Sequence, residues 1–128
     1  MTNPFVLVFL GGGLGSVFRL AVYRLARLWL PPELPWGTLA VNVIGGFGAG
    51  LVAAWLVGRS AGSDDPAALF LLTGLLGGFT TFSAFSLDAV LLWQRGAGGL
   101  AALYVVASVV LAIAGVAVGM IAARLLLS

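Results

Sequence analysis

Gly74-Leu-Leu-Gly-Gly-Phe-Thr-Thr-Phe-Ser-Ala-Phe-Ser86 lies in the middle of a long apolar segment, where a membrane helix is normally unbroken Leu, Val and Ile. The stretch instead holds adjacent glycines, two threonines, two serines and three phenylalanines spaced three apart. The pair Gly77-Gly78 weakens the helix, and a broken helix frees backbone carbonyls that need partners. At membrane depth such a break is tolerated only where protein or a hydrated cavity covers it. The stretch therefore predicts a helix broken mid-membrane, with an ion site at the break.

Composition agrees with that setting. Of 128 residues, 62% are hydrophobic and 8% charged, against about 25% charged in average usage. The mean hydropathy is +1.18. The expectation is an all-α integral membrane protein, with residues 1–128 forming one membrane domain. The absence of Cys and His removes disulfides, thiol chemistry, imidazole metal sites and Ser-His or Cys-His nucleophiles, so no enzyme is expected. Six arginines against four acids are too sparse for a nucleic-acid footprint. The first apolar run, from Phe5, has no preceding Lys or Arg and is punctuated by Gly, which reads as a retained helix rather than a signal peptide.

A span needs roughly 20 mostly apolar residues. Four are expected, at about Pro4–Leu30, Trp36–Val57, Ala67–Trp93 and Gly98–Leu125, separated by Pro31–Pro35, Arg59–Pro66 and Gln94–Gly96. Each carries two glycines four apart: Gly11/Gly15, Gly46/Gly50, Gly74/Gly78 and Gly115/Gly119. Small residues at that spacing let backbones approach closely, so a tightly packed bundle is expected. Orientation follows the arginines near span ends. Arg59 and Arg124 fall on one side, and Arg24, Arg27 and Arg95 on the other. So small a bias is either the noise of a short sample or a mark of dual topology, with copies inserted both ways up and paired antiparallel.

Polar residues inside the spans supply the candidate sites. Arg19 is an intramembrane charge, either a vestibule residue attracting anions or the partner of a helix terminus. Thr38, Asn42 and Gly46 share a helix face, and the Asn42 amide either grips a small anion or joins helices. Phe79, Phe82 and Phe85 follow one drifting face, where rings either pack or aim positive edges at a pore. Thr80, Thr81, Ser83 and Ser86 add hydroxyls, which in helices often bond back to the preceding turn. Asp88 lies toward the end of that span, where it pairs with an Arg or lines a vestibule. Tyr104 and Ser108, one turn apart with Ala112 beyond, either extend a polar track or bond a neighbouring helix. Donors with no central carboxylate argue against cation conduction.

Three motifs resemble the Fluc (CrcB) family of fluoride channels: Gly11-Gly-Gly-Leu-Gly-Ser-Val-Phe-Arg19, Trp36-Gly-Thr-Leu-Ala-Val-Asn42 with Ile44-Gly45, and Gly77-Gly-Phe-Thr-Thr-Phe-Ser-Ala-Phe-Ser86. The resemblance covers essentially the whole chain. It implies an antiparallel dual-topology homodimer, or a heterodimer with an inverted paralogue, in the cell (plasma or inner) membrane. Two fluoride pores per dimer would export fluoride passively from the cytoplasm and relieve its toxicity. It further implies a central structural sodium ion held by the backbone carbonyls of Gly77 and Thr80. Asn42, Phe82 and Phe85 would be pore residues with Thr81, Ser83, Tyr104 and Ser108, while Arg19 and Thr38 would line a vestibule. The chain departs from the family at Ala84, often Thr, at Asp88, often Glu, and at Ala112, where some members carry a hydroxyl. A small multidrug-type exporter, also four short spans, needs an intramembrane carboxylate that the first span lacks. A non-transporting structural membrane protein is the other alternative.

Overall fold

The computed structural model describes residues 2–128, which form helices and short connections with no strand among them. Helix α1 (Pro4–Trp29) opens where Asn3 Oδ1 accepts the Phe5 N–H at 2.8 Å and Pro4 takes the first position. A proline there loses nothing, because its missing N–H would have had no partner within the helix. The helix stops at Leu30, whose extended backbone is the conformation a residue before proline favours. Helix α2 (Trp36–Gly58) follows the proline-rich turn.

The third span runs from Pro66 to Gln94 in pieces. A turn of α-helix, α3 (Pro66–Ala68), is capped by Asp65 Oδ1 accepting the Ala67 N–H at 2.8 Å. An eight-residue π-helical segment (Leu69–Leu76) follows, then α4 (Gly77–Phe79), a break, and α5 (Phe82–Gln94). Helix α6 (Gly98–Leu127) completes the bundle. Ahead of it, Gly96 at φ 79° turns the chain while the Ala97 N–H returns to the Leu92 carbonyl. Four of these stretches are long and apolar enough to cross a membrane, and their ends fall within two residues of those expected from the sequence.

The glycine pairs match one another in space. Gly11 and Gly15 of α1 face the third span, where a Cβ on Gly15 would come within 2.7 Å of the Phe79 nitrogen. Gly74 and Gly78 answer from the other side, against the backbone of Gly11 and Gly12. Gly46 and Gly50 of α2 meet Ala112, Val116 and Met120 of α6, while Gly115 and Gly119 of α6 meet Val43, Phe47 and Leu51 of α2. The bundle is thus two glycine-joined pairs, α1 with the π segment and α4, and α2 with α6. Helix α5 then packs on α6 through a cluster of Phe85, Leu92, Ala101 and Tyr104.

The break does not fall where the glycines predicted it. Gly77 remains helical at φ −62°, ψ −39°, and α4 continues to Phe79. Thr80 (φ −83°, ψ 160°) and Thr81 (φ −155°, ψ 115°) are the extended residues. β-Branched residues favour extended backbone, whereas Gly78 is required for contact, since any Cβ there would strike Gly12. Glycine supplies the approach and threonine supplies the break.

Candidate functional site at the broken helix

The two extended residues interrupt the carbonyl-to-amide ladder, and each freed group can be followed. The Leu76 carbonyl accepts both the Thr80 N–H at 3.0 Å and the Thr80 Oγ1 hydroxyl at 2.8 Å. Ser16 Oγ lies 3.4 Å from the Gly78 carbonyl as its donor. Arg19 Nη1 donates to the Thr80 carbonyl at 3.3 Å. Asn42 Nδ2 donates to the Thr81 carbonyl at 3.0 Å while Asn42 Oδ1 accepts the Thr81 N–H at 2.8 Å. Beyond the break, Thr81 Oγ1 caps α5 by accepting the Ala84 N–H at 3.1 Å and lies 3.3 Å from Ser83 Oγ.

Around the break, Asn42, Thr80, Thr81, Phe82, Phe85 and Ser108 line one cavity of about 270 Å³. A neighbouring cavity of about 350 Å³ shares Asn42, Thr80 and Ala112 with it and reaches Gly77. The rings of Phe82 and Phe85 lie 5.5 Å apart at 50°, and Phe85 and Tyr104 lie 5.5 Å apart at 42°, both tilted as aromatic quadrupoles prefer. Phe85 is buried, whereas Phe82 is 79% exposed. The Tyr104 hydroxyl donates to Asp88 Oδ2 at 3.2 Å. The Ser86 hydroxyl is used within its own helix, on the Phe82 carbonyl at 2.9 Å. Ser108 Oγ is buried with no hydrogen-bond partner.

Six of the residues singled out in the sequence therefore converge on one cavity. Ser83 reaches it through Thr81, and Tyr104 through Phe85. Arg19 and Thr38, expected together in a vestibule, are set apart. Arg19 belongs to the break, while Thr38 is buried beside a separate cavity of about 550 Å³ lined also by Tyr23, Arg27 and Asp88. Ser16 and Tyr23 were not singled out. Both lie on the stripe of α1 that carries Arg19, three residues before it and four after, and that spacing was the signal available.

Fold and site define a class: a multi-pass helical membrane protein whose donor groups gather at a broken span. The family described as "CrcB-like protein, Camphor Resistance (CrcB)" matches residues 6–120, and the chain belongs to that family. A Rhodopseudomonas palustris (strain BisB5) protein named "Fluoride-specific ion channel FluC" is 52% identical over 116 residues, covering 91% of this chain and 93% of its own. A protein of the same name from Agrobacterium fabrum (strain C58) is 52% identical over 118 residues, covering 92% and 94%. One from Paracoccus denitrificans (strain Pd 1222) is 49% identical over 124 residues, covering 97% of each. These relatives are named as ion channels, not as enzymes.

Proposed function

We propose that this chain is a fluoride-conducting anion channel of the cell membrane that lets fluoride leave the cytoplasm down its electrochemical gradient. The observation that carries the reading is the lining of the 270 Å³ cavity, where an amide, hydroxyls and two phenyl rings meet with no ionisable side chain among them. Fluoride is small and strongly hydrated, so a path for it must replace water with closely placed donors yet hold the ion loosely enough to release it. Ser108 and the second N–H of Asn42 offer such donors, and the ring edges of Phe82 and Phe85 offer weaker contact. Thr81 and Ser83 shape the break beside them, and Arg19 adds positive charge nearby. In an acidic medium HF crosses lipid and ionises inside, so a pore for the anion relieves the trap.

The working unit of this proposal is an antiparallel homodimer, or a heterodimer with an inverted paralogue, containing two pores. Its support is the arginine balance and the exposed Phe82 ring, which an inverted second copy would cover. A sodium ion at the dimer centre would be held through the Gly77 and Thr80 carbonyls. The Thr80 carbonyl keeps a lone pair beside the Arg19 bond. One chain then supplies two oxygens and the inverted copy two more; such a cation would tie the two breaks together without lining the anion path.

Fluoride, chloride and cationic-drug efflux from proteoliposomes of the purified chain tests the function. Fluoride flux well above chloride flux is the expected result. Drug efflux coupled to protons, or no flux of any kind, would overturn it.

A further inference from the structure

Arg59 and Arg124 take no part in the path described above. They stand at the far end of α2 from the Arg27 cavity, which is lined by Trp36, Gly37 and Thr38 where α2 begins. The glycine register brings them together. Gly46 meets Ala112 and Val116, and Gly50 meets Val116 and Met120, so α2 and α6 run side by side in one direction and finish at the same end of the bundle. Between their last turns lies a cavity of about 560 Å³, lined by both arginines with Trp55, Gly58, Leu127 and Ser128.

An arginine near a helix C-terminus often serves the last carbonyls. At the end of α2 that place is taken, because the Trp55, Leu56 and Val57 carbonyls accept the backbone N–H groups of Arg59, Ser60 and Ala61. The Arg59 guanidinium instead lies over the Trp55 ring, 4.6 Å from its centroid, and reaches Asp65 Oδ2 at 3.6 Å. Its side chain is 46% exposed, so that ion pair is worth little and leaves guanidinium N–H donors free. Among the described residues this is the one ion pair, so Arg124 stands exposed with no carboxylate partner, the main-chain carboxylate of Ser128 included. One positive charge is thus partly compensated and the other is not, at the ends of two membrane spans. Tryptophan is favoured at the membrane–water interface, the level of lipid headgroups, and the guanidinium fork matches the oxygens of a phosphate. We propose that this cavity binds the phosphate of an anionic phospholipid headgroup. Arg124 is its main donor and Arg59, held by Trp55, the second. A zwitterionic headgroup brings an ammonium against the arginines and fits less well. Arginines that only reach past apolar surface into water would show no preference among headgroups. The site is independent of what the chain conducts.

Native mass spectrometry of the detergent-purified chain, titrated with phosphatidylglycerol or phosphatidylcholine of the same acyl chains, tests it. Wild type should bind phosphatidylglycerol about tenfold more tightly than phosphatidylcholine, and Arg124→Gln should lose about tenfold in phosphatidylglycerol affinity, the size of one hydrogen bond to a charged group. Arg59→Gln should lose less, since Asp65 already takes part of its charge. Arg24→Gln, at the other end of the bundle, should lose nothing. Equal affinities of wild type for the two lipids, an unchanged affinity in Arg124→Gln, or the same loss in Arg24→Gln would overturn the assignment. Inorganic phosphate that displaces phosphatidylglycerol at matching concentration would overturn it as well, by making the ligand a free anion rather than a lipid. In lipid-free detergent Arg124→Gln should melt as wild type does; a lowered melting temperature would make the arginine structural and remove it from the site.

Discussion

The Asn42 side chain and the Thr81 backbone are joined by two hydrogen bonds in opposite directions, at 3.0 and 2.8 Å. The amide thus does for Thr81 what a neighbouring strand does for an extended residue, satisfying its N–H and C=O together. From 39 residues away in sequence, α2 closes the gap that the third span leaves open. The two readings open for Asn42 in the sequence, anion grip and interhelical joint, are compatible. The joint uses Oδ1 and one N–H, and the other N–H remains.

Asn42→Asp should therefore damage stability as well as flux. A carboxylate still accepts the Thr81 N–H but sets oxygen against the Thr81 carbonyl, and losing one buried partner of this kind costs about 1–3 kcal/mol. The expected outcome is a lowered melting temperature in detergent together with loss of fluoride efflux from liposomes. Wild-type melting with lost flux would make Asn42 a pore residue only; normal flux would remove it from the path.

Thr81 tests the other end of the break. Its Oγ1 caps α5 through the Ala84 N–H. Thr81→Ala should destabilise the protein by about 1 kcal/mol, and Thr81→Ser should retain most of that stability because the capping oxygen is kept. Thermal melts of both variants decide it; equal losses would mean that the methyl group, not the cap, matters.

The paired glycines predict a contrast within a single helix. A Cβ on Gly15 would run into the Leu75 carbonyl and the Phe79 nitrogen, whereas one on Gly13 would meet nothing within 4 Å. Gly15→Ala should separate α1 from the third span and lower both yield and melting temperature. Gly13→Ala should be neutral or stabilise by about 0.5–1 kcal/mol, the ordinary helix preference of Ala over Gly. The same loss in both variants would reject close approach as the reason for Gly15.

These variants also mark what the sequence could and could not disclose. Span ends were legible because Asn3-Pro4, Asp65-Pro66 and Gly96 are local signals that act on their own neighbours. Which glycine pair meets which was not legible, since spacing alone does not choose among four identical patterns. The break was misplaced by about three residues because Gly77-Gly78 looks weak in isolation, while contact with α1 holds it helical. The π-helical turn at Leu69–Leu76 left no trace in composition, because its residues are as apolar as any α-helical stretch and only the hydrogen-bond register differs. The commitment of Tyr104 to Asp88 depends on side chains brought together from α6 and α5, which no single-helix pattern records.

Arg19 and the sodium ion proposed at the break make opposing demands on one oxygen. The guanidinium already donates to the Thr80 carbonyl at 3.3 Å. Two unit positive charges about 5 Å apart repel by about 3 kcal/mol at the effective dielectric of a protein. Replacing sodium by a large organic cation during reconstitution should abolish assembly or flux, and full activity without sodium would remove the ion from the mechanism. If sodium does bind there, Arg19→Gln should lower the sodium concentration needed for half-maximal activity by about tenfold, a conservative share of that repulsion. Fluoride flux at saturating sodium should fall in the same variant, because the positive charge beside the path is gone. A sodium requirement unchanged by Arg19→Gln would place the cation away from Thr80 and leave that carbonyl to the arginine alone.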